Sequence, residues 1–497
     1  MSTHPLSLVE IRHHLGQFLS KRSLKACVLV SRDWRDSFEP WLWSDTEVKW
    51  SSPTQTSPPQ ARLVQNAHMI HRLEFQRGTL HFVAFNQLTC PRLQSLNLLD
   101  INPTLISRPL GAPEPILPEE RMIERHRANL RHISINLDPW RRDTTRIWAV
   151  IASCTQLDQL KITRGKVKRQ SWPGCWQALS RVRSLDIEVD FLDAIEEEDE
   201  PPWSTFEGCE PARITELTLS CQGLSKMALY QLLKRCPELK ALTMSGRTSV
   251  AVEGHAIAIL VLCLKRLNGC QNLVSLNIPS AHLEADLVNF LETRSQVGLE
   301  QLSVATSRFG PVSWSVLKAG IYHSSTLKVL DLKQCDRVSR EMVHDILCTL
   351  EGLEVFYAPL ITNVEMEQDS RPWVSLRLQT LCLTIAVTSR SAQTVVFQRL
   401  ATLVNLKQLW MDRTRLQSGL LPIRLGLDLG LNLLGNLGSL EELSLQGTDH
   451  VVGYDESAWI KAHWPNLQKL LDGAAYPILF GIRKKSTCRR DTQTAAV

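Results

Sequence analysis

Residues 327–335 read Leu327-Lys328-Val329-Leu330-Asp331-Leu332-Lys333-Gln334-Cys335. Leu330 and Leu332 alternate, so both side chains point to one face of a short strand. Leu327 enters the same core from the bend before it. Cys335 is small and of a type that buries readily, so it closes the turn without a bulky side chain. Val338, Met342, Val343, Ile346 and Leu347 then recur at helical spacing, which predicts an amphipathic helix. One strand, turn and helix cannot bury its own apolar face. Copies are needed on both sides.

The rest of the chain supplies them. Inward pairs recur from Leu73/Phe75 through Leu96/Leu98, Ile133/Ile135, Leu160/Ile162, Leu185/Ile187, Leu217/Leu219, Leu242/Met244 and Leu276/Ile278. They continue through Leu302/Val304, Leu330/Leu332, Phe356/Ala358, Leu381/Leu383, Leu409/Met411 and Leu443/Leu445 to a degraded last unit at Leu470. The mean step is about 28 residues, at the upper end of the ~20–29 of leucine-rich repeats, which the pattern L-x-x-L-x-L-x-x-C resembles. The expected fold is therefore α/β: a curved leucine-rich-repeat solenoid of about 14–15 units. Cys90, Cys154, Cys236 and Cys270 each stand three residues before the first leucine of a unit. Recurrence at one repeat position marks them as packing groups. None forms a Cys-x-x-Cys pair, so no zinc site is expected. Proline at Cys90-Pro91, Cys236-Pro237 and Trp464-Pro465 stops a helix and turns the chain into the next strand.

Three segments interrupt the period. A Pro-rich insertion carries Pro103, Pro109, Pro113, Pro115 and Pro118 (residues 103–118). A basic patch of Arg164, Lys166, Lys168 and Arg169 precedes an acidic run, Glu196-Glu197-Glu198-Asp199-Glu200. After Gly481 the tail has five basic residues and no apolar period, as a solvated end or a targeting or polyanion-binding tail would. Each insertion reads first as a solvated loop.

Composition sets the class. The chain has 497 residues, 43% apolar and 22% charged, with a net charge of +5. That is ordinary for a folded domain, and the mild excess does not by itself call for nucleic acid. The first residues hold no apolar signal core, the longest apolar run falls far short of a membrane span, and the 13 cysteines are scattered. A reducing compartment, cytoplasm or nucleus, is expected, with no membrane contact.

The first fifty residues differ from the rest. Leu8, Ile11, Leu15, Phe18 and Leu19 keep helical spacing; Leu24, Cys27, Val28 and Val30 form a second apolar face. Asp33 is placed to cap a third helix carrying Trp34, Phe38 and Leu42, which Pro40, Trp41, Leu42 and Trp43 end. Leu8-Val9-Glu10-Ile11, Phe18-Leu19, Leu24, Val28-Leu29-Val30-Ser31-Arg32-Asp33-Trp34 and Leu42-Trp43 together resemble an F-box. Val9 stands where that motif usually has proline. The alternative is a helical cap on the repeat array. The implied division is an F-box domain at 1–50, a linker at 51–66 around SSPTQTSPPQ, the solenoid at 67–480 and a basic tail at 481–497.

F-box plus repeats resembles the F-box/leucine-rich-repeat proteins. The resemblance implies a substrate receptor of an SCF-type cullin–RING ubiquitin ligase. It implies docking on the S-phase-kinase-associated adaptor, indirect contact with the cullin scaffold, and an unidentified protein substrate held by the repeats. Adaptor contact would then fall to Ile11, Leu15, Leu19, Leu24, Val30, Trp34, Leu42 and Trp43, some of which must instead form the helical core. Substrate contact is expected on the outward strand lane, at Lys161, Asp186, Asp331, Trp410 and Asp412, with Trp410 as an aromatic anchor or a packing group. Lys161 and Asp186, one unit apart, are equally able to pair with each other. No phosphate loop, metal motif or recurring carboxylate pair is present, so no cofactor and no catalysis are expected. A scaffold whose N-terminal helices only cap the solenoid, and an enzyme with a site built across repeats, stay open as rivals.

Overall fold

The computed structural model describes residues 6, 8–49, 60–76, 88–99, 118–137, 144–167, 171–191, 211–222, 226–244, 263, 270–279, 284–293, 298–320, 325–411, 419–445, 452–471 and 477–479. The fold is α/β, a parallel ladder of short strands joined by helices. The chain divides into two compact units, residues 1–276 and 277–497.

In the first unit three helices lead the sheet: α1 (Val9–Gly16), α2 (Lys21–Cys27) and α3 (Arg32–Ser44). The strands are β1 (Asp45–Lys49), β2 (Arg72–Gln76), β3 (Ser95–Leu98), β4 (His132–Asn136), β5 (Gln159–Val167), β6 (Ser184–Phe191), β7 (Glu216–Gln222) and β8 (Ala241–Met244). Each pairs in parallel with the next. The register stacks Leu73, Leu96, Ile133, Leu160, Leu185, Leu217 and Leu242 in one row. β9 (Ser275–Asn277) stands at the join of the two units.

The second unit repeats the plan with β10 (Gln301–Ser303), β11 (Val329–Asp331), β12 (Val355–Thr362), β13 (Thr380–Val387), β14 (Gln408–Met411), β15 (Leu421–Pro422), β16 (Glu442–Ser444), β17 (Lys469–Leu471) and β18 (Pro477–Leu479). Leu302, Leu330, Phe356, Leu381, Leu409, Leu443 and Leu470 share its row. β15 and β18 run antiparallel, against β13 and β17.

Every inward residue expected from the alternation is buried. Fully burying one such side chain is worth about 1.5–3 kcal/mol, and parallel stacking lets each unit bury the face its neighbour exposes. The turn at Cys335 closes as its small side chain requires. Its Sγ donates to the Val304 carbonyl at 3.1 Å, and Gln334 before it is left-handed at φ 62°. The helix that follows, Arg340–Leu347, buries Met342, Val343, Ile346 and Leu347, with Ser339 Oγ accepting from Met342 N at 3.2 Å. Cys90, Cys154, Cys236 and Cys270 are buried as repeat-position packing groups. Burial pushes the thiols of Cys90, Cys154 and Cys236 up to about 12.

Four features depart from the sequence expectation. Residues 45–49 form a strand: β1 lies against β2, with Thr46 opposite Leu73 and Val48 opposite Phe75, so the sheet starts inside the segment assigned to the F-box. Only 51–59 of the expected linker lies outside the described residues, because Gln60–Gln65 is a helix, α4, with Leu63 fully buried. α3 is capped by Ser31 rather than Asp33: Ser31 is extended and its Oγ accepts from Trp34 N at 3.2 Å, the reach a cap side chain has to the third residue on. Asp33 sits in the first turn, and the helix runs through Pro40 to Ser44. Between Leu409 and Leu443, 3-10 turns at Leu427–Leu429 and Leu431–Asn436 replace an α-helix. Glycines at 426, 430 and 435 interrupt that stretch, and Gly430 takes φ +96°. The sequence signal missed at the turns is Asn-Leu. Asn129, Asn272, Asn405 and Asn466 donate from Nδ2 to carbonyls of the preceding unit at Pro91, Pro237, Leu376 and Gly438, at 2.7–3.1 Å.

Candidate functional site

The N-terminal helices bury an unexpected face. α1 turns Arg12 and Gly16 inward, one helical turn apart. Arg12 Nε donates to Ser37 Oγ at 3.1 Å, and Ser37 Oγ donates to the Asp33 carbonyl at 2.8 Å. Gly16 lies against the Trp41 ring so closely that a Cβ would collide with it. The inner residues are therefore Arg12, Gly16, Leu24, Ser37 and Phe38. An arginine stem covers apolar surface as a hydrophobic residue would, and glycine admits the indole.

Of the apolar residues that keep helical spacing, Leu8, Leu15 and Phe18 are left outside, and Ile11 and Leu19 are half-buried. Leu8, Val9 and Leu15 are exposed, and so are Phe18 at 72%, Leu29 at 79% and Val30 at 61%. α2 ends at Cys27, so Leu29 and Val30 stand in the turn beyond it rather than on its inner face. Of the residues expected to meet an adaptor, Leu15 and Val30 are exposed. Ile11, Leu19, Trp34, Leu42 and Trp43 are half-buried, and Leu24 belongs to the core. Leu29 and Phe18, absent from that set, are the most exposed large hydrophobic side chains among the first thirty described residues.

On the outward strand lane, the expected residues have local partners. Lys161 Nζ and Asp186 Oδ2 pair at 2.5 Å across β5 and β6. Asp331 accepts from Ser303 Oγ at 3.2 Å and from Lys333 N at 2.9 Å. Trp410 is half-buried, and its ring stands 6.3 Å from Tyr357, tilted by 51°. Cys382 lies between them in register and is buried at an outward position. The two rings thus flank one cysteine, and Trp410 is left half-buried beside it. The buried Trp410 Nε1 has no hydrogen-bond partner. Asp412 lies outside the described residues, as do the acidic run 196–200, Lys168 and Arg169, the Pro-rich residues up to 117 and the basic tail. Arg164 and Lys166 fall on β5.

One pairing invites a chemical reading. Cys348 Sγ lies 3.5 Å from His344 Nε2, and Asp369 Oδ2 lies 3.7 Å from the same nitrogen. Trp373 Nε1 donates to His344 Nδ1 at 3.2 Å, so the neutral ring carries its proton on Nε2. A ring protonated there cannot take the thiol proton. Burial pushes the Cys348 thiol up and the His344 ring down, with Asp369 opposing the latter shift. The pair is a packed donor–acceptor contact and not an activated nucleophile.

Among the described residues no helix is long and apolar enough to cross a membrane. No family model and no curated protein matches the chain.

Proposed function

We propose that the chain is an F-box/leucine-rich-repeat protein, the substrate-recognition subunit of an SCF-type cullin–RING ubiquitin ligase. Its N-terminal helices dock on the S-phase-kinase-associated adaptor, and the curved repeat array holds a protein substrate. The mechanism is tethering, which raises the effective concentration of substrate lysines at the conjugating enzyme. One observation carries the reading. With the sheet folded, Phe18, in the turn after α1, and Leu29 and Val30, in the turn after α2, remain exposed. Exposed apolar groups gathered in one small unit call for a partner.

The scaffold reading draws support from β1. The helices continue without a break into the first strand of the sheet, as a cap would. Truncation at residue 51 would remove that strand and expose β2, so it cannot separate the two readings. Leu29→Asp with Val30→Asp leaves β1 intact. Coexpressed with the adaptor, the full-length chain retains it and this variant loses it. If both chains leave the adaptor behind while soluble, the helices act as a cap.

A further inference from the structure

We infer that the strand-entry edge of the first unit is a docking surface for an extended acidic protein segment. The inference does not depend on adaptor binding. It starts from a charge difference between the two units. Take the six residues that precede the first inward residue of each strand. From Leu73 to Leu276 these turns hold eight Arg and Lys against three Asp and Glu; from Leu302 to Leu470 they hold four against five. In the second unit two of the four cations pair, Lys328 with Glu300 at 2.8 Å and Lys469 with Glu442 at 3.4 Å; in the first, Arg72 pairs with Glu74 at 3.4 Å and Arg183 with Asp158 at 4.0 Å, which leaves the larger unpaired excess on the first unit. In the first unit Arg92, Arg131, Arg213 and Lys240 are exposed, and none has an ion pair among the described residues.

The geometry is regular. Positions two and four before each inward residue line two open grooves on this edge. One, of about 600 Å³, is formed by Arg183, Arg213, Thr215, Glu238, Lys240 and Asn272. The other, of about 500 Å³, includes Arg92, Gln94, Asn129 and Arg131. Adjacent strands lie about 4.8 Å apart, so the cations of the β3 and β4 turns, and those of the β6, β7 and β8 turns, form two clusters, each within a few residues' length of one extended peptide, with Asp158 in the β5 turn between them. The cations are mostly arginine, whose planar fork pairs two-to-two with carboxylates. Asn, Gln and Thr between them offer hydrogen bonds to a peptide main chain.

Nucleic acid fits less well. These first-unit turns contain no Phe, Tyr or Trp; the planar groups a base could stack on are His68, His71, His132 and the arginines. Glu238 and Asp158 would also oppose an unbroken phosphate chain, whereas a peptide can set neutral residues against them.

The test is fluorescence polarisation with the full-length chain and three labelled probes of equal length: polyglutamate, polyglutamine and single-stranded RNA. Polyglutamate is expected to bind, polyglutamine not. Raising salt from about 50 to about 300 mM should weaken binding, as it does for screened surface charges. Arg131→Glu with Arg213→Glu and Lys240→Glu should weaken it at least about tenfold, or about 1.4 kcal/mol. Lys407→Glu, on the second unit, should leave it unchanged. Arg131→Gln with Arg213→Gln is the milder pair should the reversal variant misfold, and should weaken binding in the same direction. Failure of polyglutamate to bind, binding unaffected by these variants, or tighter binding of RNA would each overturn the inference.

Discussion

Leu24 and Leu29 are the same residue five positions apart in one helical unit, and the two should respond oppositely to truncation. Leu24 is 3% exposed and Leu29 is 79% exposed. Removing a buried leucine side chain to alanine costs about 2–5 kcal/mol, from lost transfer energy and the cavity left behind. Leu29 has only about a fifth of its surface covered, so its share of the ~1.5–3 kcal/mol for full burial is about 0.3–0.6 kcal/mol. Hydrogen exchange over residues 9–44 reads the local opening free energy. The Leu24 and Val28 amides report the unit directly through their bonds to the Ser20 and Leu24 carbonyls, at 2.9 and 3.0 Å. Leu24→Ala should lower protection by about thirtyfold or more, and Leu29→Ala by less than about threefold, at 1.4 kcal/mol per decade. Adaptor binding should invert the order. Leu29→Ala should weaken it by about tenfold, as loss of a side chain at an interface centre does, while Leu24→Ala acts only through the fold. Equal loss of protection in the two variants would refute the reasoning. Leu29 would then be covered by the rest of the chain, and the helices would be a cap.

Other expectations follow from single contacts. Ser339→Ala removes the cap on the helix Arg340–Leu347 and should cost about 1 kcal/mol, read as a lower urea midpoint at unchanged slope. His344 has its pKa lowered, first by burial. The unfolded chain therefore binds the proton more readily, and stability falls as pH drops below about 6.5 toward the folded value. His344→Gln should flatten that part of the pH profile in denaturant titrations, and an unchanged profile would count against burial as the cause. The thiols of Cys90, Cys154 and Cys236, raised to about 12, should resist iodoacetamide in the native chain near pH 8 and react once urea unfolds it. Thiolate, not thiol, is the attacking form. Rapid native labelling at any of the three would contradict their burial.

The strand rows could be read without coordinates because each depends on a local rule. A strand has period two, so an inward pair such as Leu330/Leu332 declares its face from three consecutive residues. Repetition then sets the neighbours: Leu302, Leu330 and Phe356 must align if each unit is to bury the face the next one exposes. The cysteines at the turns were legible for the same reason, since one repeat position admits one kind of packing.

What sequence left open was decided by contacts between residues distant along the chain. Leu8, Ile11 and Leu15 look like an inner helical face, yet α1 turns Arg12 and Gly16 inward, because Ser37 and Trp41 on α3 offer a hydrogen bond and an indole that fit those two. Cys382 occupies an outward strand position but is buried, because Tyr357 and Trp410 arrive from the strands on either side. Asp45–Lys49 carries no inward pair of leucine type, and becomes a strand only because β2 presents an edge to be covered. The basic edge of the first unit is spread over turns some 25–37 residues apart in sequence, and only the register brings them side by side. Alternation and period were thus enough to determine the repeated core. Which surface remains free for a partner was settled by tertiary packing, since exposure is a property of the neighbours and not of the residue itself.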